Sequence, residues 1–155
     1  MQMYLILTLD KNSKVVWLKL EFLDFETCEV RKVSQPVLES IDTNISINMA
    51  TLEKNVLKLE FLYSTKYAPG GGFIRISGKA DFSGSESKVA YEEWKKTKQI
   101  MGVLGEQIVN TINYSASINA AFIARVFNLT PPIVPPTIRF QQPVKQMMPA
   151  GKSKK

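Results

Sequence analysis

Histidine is absent from the 155 residues, and cysteine occurs once, at Cys28. The first absence removes the side chain most often used as a general base, and the commonest metal ligand with it. The second rules out an internal disulfide framework and any zinc-ligand spacing, and leaves the one thiol without an imidazole to activate it. A lone thiol fits a reducing compartment, so a cytoplasmic location is expected. Long apolar runs are missing too. The first, Leu5 to Leu9, is far too short to span a bilayer and lacks the basic flank and cleavage pattern of a signal peptide. Neighbouring carboxylates do occur, at Glu92 and Glu93, but adjacent helical residues point to different sides and read as a solvated face. These absences predict a protein that is not an enzyme and needs neither metal nor cofactor.

Acidic residues are missing from the C-terminal third. All 14 lie at or before Glu106, together with 14 of the 20 basic residues, so that body is close to neutral. The net charge of +6 belongs to Arg125, Arg139, Lys145, Lys152, Lys154 and Lys155. Such placement works against a broad nucleic-acid-binding face, which needs Lys and Arg collected on a structured surface. What is present suffices for a core: 45% of residues are hydrophobic and 22% charged, in a chain near the size of one domain.

Strand-like alternation dominates the first half. From Val16 to Phe25, the side chains of Val16, Leu18, Leu20 and Phe22 are expected on one face, with Trp17, Lys19, Glu21 and Leu23 on the other. Tyr4 to Leu9 reads as a further short strand, closed by a turn at residues 10–13. Thr27 to Asp42 has no sustained period and contains Pro36, so it is read as a long crossover connection and a candidate functional loop. Ile45, Ile47 and Met49 mark a second strand, Val56 to Tyr67 a third and Phe73 to Phe82 a fourth. Between the last two, Pro69-Gly70-Gly71-Gly72 is hairpin punctuation. Because this glycine run leads into a strand and not a helix, it does not read as a phosphate cradle.

After Phe82 the composition turns helical. Residues 83–87 offer N-cap side chains to a first helix, Glu86 to about Met101, and Gly102 and Gly105 permit a break. A second helix runs from Glu106 to Asn128, with Ile108, Ile112, Ser115, Ala116, Asn119, Phe122, Ile123 and Val126 expected on one face. Its middle is slender, with Ser115, Ala116, Ser117, Ala120, Ala121 and Ala124 allowing close approach of a sheet or of a subunit. Pro131-Pro132 ends it, and an extended strip to Phe140 follows.

Aromatic and basic residues interleave, with Trp17 beside Lys19, Tyr63 and Tyr67 around Lys66, and Phe73 beside Arg75. Alternation sends them to different faces, and the order ββββαα is not that of an RNA-recognition fold, so nucleic-acid binding is disfavoured. Large aliphatics in the crossover and the proline strip either close the core edge or line a groove for extended apolar peptides.

The order of parts resembles the SecB-type export chaperones. Phe73-Ile74-Arg75-Ile76-Ser77-Gly78 resembles that family's fourth strand, Glu106 to Phe127 its long helix, and Pro131-Pro132 to Phe140 its double-proline strip ending in an aromatic residue. The resemblance implies an α+β fold: a four-stranded antiparallel sheet with a long crossover after the first strand, then a short and a long C-terminal helix. It implies one domain over residues 1–140, followed by a flexible basic tail, 141–155. It further implies an ATP-independent holdase for unfolded or nascent chains, assembled as a homotetramer, a dimer of dimers, and serving protein export. Client contacts would fall on Val33, Val37, Leu38, Ile41, Phe127, Leu129, Ile133 and Val134. The family is markedly acidic, and that acidity docks it to the SecA motor. The neutral body departs from this, so an antitoxin-associated or archaeal-type relative fits better. The alternative is an adaptor or assembly protein with one folded partner.

Overall fold

The computed structural model describes residues 18–33 and 38–132. Four strands, β1 (Lys19–Lys32), β2 (Ser40–Glu53), β3 (Val56–Ala68) and β4 (Gly72–Ser83), precede two helices, α1 (Ser87–Thr97) and α2 (Gly102–Val126). The sheet is antiparallel in the order β1-β4-β3-β2. The α+β architecture read from the sequence is therefore the observed one, with β1 and β2 on opposite edges.

β3 is the best-specified element. Leu57, Leu59, Phe61, Tyr63, Thr65 and Tyr67 are all buried on one face, as alternation requires. On β4, Ile74, Ile76, Ala80 and Phe82 continue that face. Two clusters result. At one end Leu57, Leu59, Phe61, Ala80 and Phe82 pack with Ile108 and Ile112 of α2 and Ala90 of α1. At the end carrying the β3–β4 hairpin, Tyr63, Tyr67, Ile74 and Ile76 pack under Ala116, Ala120 and Ala124. Both helices cover the same face of the sheet, and among the described residues nothing covers the other.

Several expectations are corrected. Thr27 to Asp42 is not one long connection: Thr27–Lys32 completes β1, Ser40–Asp42 begins β2, and the crossover shrinks to residues 33–39. Both edge strands are irregular, and each irregularity reverses the alternation beyond it. A register shift between Leu20 and Phe22 turns Phe22 outward to 49% exposure and brings Leu23 onto the core. Another between Ile47 and Met49 sends Met49 out and buries Ala50 in its place. The β2–β3 connection is a tight turn in which Lys54 and Asn55 both take positive φ.

The helices differ as well. α1 stops at Thr97, because Lys98 adopts the left-handed conformation and its N–H returns to the Trp94 carbonyl at 2.7 Å. No side chain caps its start; Ser87 donates instead to the Phe82 carbonyl. The Glu93 carboxylate is not merely a solvated group: it accepts the Met101 N–H at 3.1 Å, at the entry to α2. α2 begins at Gly102, four residues before the expected start. Its small residues Ala116, Ala120 and Ala124 face the chain's own sheet, so that face is not available to a subunit. Phe122 and Val126, expected inside, are 65% and 77% exposed. The reason is volume. Tyr63, Tyr67, Ile74 and Ile76 already fill the space between the layers, and only alanine fits opposite them. Residues 1–17, with the expected first short strand, and the 141–155 tail lie outside the described residues.

Candidate functional site

The hairpin end of the sheet gathers three segments. β1 leaves it, β2 enters it, and the chain after α2 returns to it. The crossover is tied to the hairpin at both ends: the Val33 N–H donates to Gly71 O at 3.1 Å, and the Glu39 N–H to Ala68 O at 3.0 Å. After α2, the Leu129 N–H donates to Ala124 O at 2.8 Å, and the Tyr67 hydroxyl donates to Thr130 O at 2.8 Å. Tyr67 thus links the sheet to the segment that follows the long helix.

Of the eight expected contact residues, Val37, Ile133 and Val134 lie outside the described residues. Ile41 and Leu129 are both half-buried against the Tyr63–Tyr67 cluster. Val33 and Leu38 flank the hairpin at 41% and 39% exposure, and Phe127 caps α2 in an exposed position. Missed from the sequence was a second apolar row on α2, Tyr114, Ile118, Phe122 and Val126, all exposed. Its signal was there to read. The row repeats every four residues with large side chains, while the parallel row Ile108, Ile112, Ala116, Ala120, Ala124 tapers to alanine.

Burial pushes the Tyr67 hydroxyl up to about 12, with neighbouring Tyr63 adding to the effect. Tyr63 is raised for the same reason, partly offset by hydrogen bonds from Thr65 and Thr43. Partial desolvation also raises the thiol of Cys28, although the residue is exposed. Among the described residues no group of three or more His, Cys, Asp or Glu is placed to hold a metal. None of their helices is long and apolar enough to cross a membrane.

Tyr67 provides a pH test. Its phenol ionises near 10 when unfolded and about 12 when folded, so the stability from burying it neutral is complete below about pH 10 and lost as pH rises toward 12. Tyr67→Phe is expected to cost about 1 kcal/mol at neutral pH through the lost hydrogen bond to Thr130. It should also flatten the alkaline fall in denaturation midpoint, which a pH series on both proteins measures.

No family model matches the chain, and no curated protein does. The SecB-like chaperone Rv1957 of Mycobacterium tuberculosis, solved in complex with a ChAD peptide from the Rv1956 HigA1 antitoxin, superposes with a TM-score of 0.53 at 8% identity. The match covers 76% of this chain and 86% of that one. The fold is SecB-like. At that identity the likeness is one of backbone path alone. The SecB-like arrangement read from the double proline and the strand-to-helix passage is thereby the observed one.

Proposed function

We propose that this SecB-like chain is a holdase, binding extended apolar segments of non-native polypeptides without ATP and without chemistry. The observation that carries the reading is the hairpin end of a SecB-like scaffold, where Val33, Leu38 and Phe127 are exposed and Ile41 and Leu129 are only half-buried against the Tyr63–Tyr67 cluster. Apolar side chains left in water on a packed frame gain burial from any extended apolar client, and many small contacts tolerate many sequences. In this reading Val37, Ile133 and Val134 extend the same surface, residues 1–140 form the domain, and residues 141–155 are a basic tail. The protein works in the cytoplasm as a homo-oligomer, a dimer of dimers. With the alanine face of α2 buried, assembly falls to the sheet edges or to the Tyr114–Val126 row. Delivery to an export motor would need a contact other than an acidic one, since the body is near neutral.

The test is light scattering from a diluted, denatured client. Suppression near stoichiometric ratios, unchanged by ATP, is the expected result; no suppression with several unrelated clients would sink the reading. Leu38→Asp with Phe127→Asp should raise the chaperone concentration needed by roughly tenfold, since each loses an apolar contact. The other reading, an adaptor for one partner, draws on the structural neighbour, which holds a peptide of one antitoxin. It predicts a single co-purifying protein in place of a spread of clients.

A further inference from the structure

Charges on the open face of the sheet are mostly matched. Lys19, Lys58, Arg75 and Lys79 lie within ion-pair distance of Glu21, Glu53, Glu29 and Glu26 respectively. Arg31 and Lys66 have no ion pair among the described residues. These two cations share one cross-strand row, Arg31–Phe73–Lys66–Asp42, with the Phe73 side chain between them. Two strand spacings put their backbones about 10 Å apart. Together with Val33 and Gly72 they line a groove of about 460 Å³ beside the hairpin. Gly72 has φ +107, and a Cβ there would overlap the Arg31 carbonyl, so the β4 end of the groove is bare backbone. The one carboxylate in the lining, Asp42, accepts a hydrogen bond from Ser40 at 3.2 Å.

We infer that this groove takes a carboxylate-bearing segment of an extended polypeptide, in which an Asp or Glu side chain lies next to an apolar one. Arg31 and Lys66 pair with the carboxylates, while Phe73 and Val33 cover the apolar neighbour. The inference rests on the polypeptide-binding reading and adds to it a preference for one sign of charge. A peptide suits the groove better than a polynucleotide: Asp42, at the far end of the row from Arg31, repels a backbone with a phosphate on every residue, whereas a peptide can place a single carboxylate at the Arg31 end. The Arg75 guanidinium covers one face of the Phe73 ring at 4.0 Å, so only the remaining face and edge are left, to a small apolar side chain and not to a base held between two surfaces.

The experiment is fluorescence anisotropy of the full chain with three short peptides of identical apolar content, one acidic, one neutral and one basic. The acidic peptide is expected to bind about tenfold tighter than the basic one, with the margin shrinking as salt is raised. Arg31→Glu with Lys66→Glu should reverse the order, and Arg31→Gln with Lys66→Gln should abolish it. Lys19→Glu, on the same face but outside the groove, should leave it intact. Equal binding of the three peptides by a chain that still suppresses aggregation overturns the inference and leaves the holdase standing. A preference that survives in both double variants places the charge elsewhere, and also overturns it. Tighter binding of a single-stranded oligonucleotide, lost in the same double variants, would assign the groove to nucleic acid instead. Failure to bind any peptide or to suppress aggregation removes the polypeptide-binding reading, and the inference with it.

Discussion

Phe61→Ala is expected to lower the stability of the fold by about 3–5 kcal/mol, the largest loss from any single truncation considered. Phe61 lies mid-strand on β3 with 1% of its surface exposed. Its cross-strand partner on β4 is Gly78, and beyond Gly78, on β1, comes Phe25. The two rings meet edge to face across the glycine, with centroids 6.1 Å apart and planes at 88°. Phe61 therefore fills the space that a side chain at position 78 would occupy, and Phe25 leans on Phe61. Truncation removes the ring, opens a cavity over bare backbone and leaves Phe25 without its partner. A thermal melt reads the effect as a drop on the order of 10 °C. A change under 1 kcal/mol would mean that the layers collapse onto the glycine, and that the row is not close-packed.

Gly78→Ala attacks the same row from the opposite direction, and a loss of about 3 kcal/mol is expected. A Cβ at this position would overlap the Asp24 carbonyl oxygen of β1 and come within 3.0 Å of the Phe61 ring. The ring can tilt, but a backbone carbonyl cannot yield without moving the strand. β1 approaches this closely because its second register shift, between Phe25 and Thr27, falls at Gly78. Among the described residues β1 pairs only with β4, so the damage should stay local. Hydrogen exchange should show β1 amides losing protection while β2, β3 and α2 keep theirs. Uniform loss across the sheet would place the strain elsewhere. Because Arg31 belongs to β1 and Val33 directly follows it, the variant should also weaken the charge preference, with the Leu38 and Phe127 contacts unchanged.

The legible parts of this molecule are those where neighbours in the chain decide the outcome. β3 and β4 were readable because each buries one full face and the glycine hairpin between them fixes their register. The edge strands were not. Phe22 and Met49 are ordinary inward residues by alternation, and each points outward only because an extra residue is accommodated against the central strand. Nothing local at Leu20 or Ile47 announces it. The contact surface was half legible. Apolar residues near the crossover and after the long helix stood out, yet whether Ile41 and Leu129 pack on the same cluster depends on where α2 crosses the sheet.

The sequence by itself determined the class of fold: four alternating strands and then two helices, with a near-neutral body. Tertiary structure alone decided which face of α2 is inside. Two apolar rows run along that helix, and hydrophobicity favours burying the one with the larger side chains. The sheet beneath it already carries Tyr63, Tyr67, Ile74 and Ile76, so close packing selects the alanine row and leaves Tyr114, Ile118, Phe122 and Val126 in the open. Likewise, only the pairing of β1 with β4 and of β4 with β3 sets Arg31 and Lys66 on either side of Phe73. Residues 35 positions apart in the chain become row-mates through hydrogen bonds that no local pattern encodes.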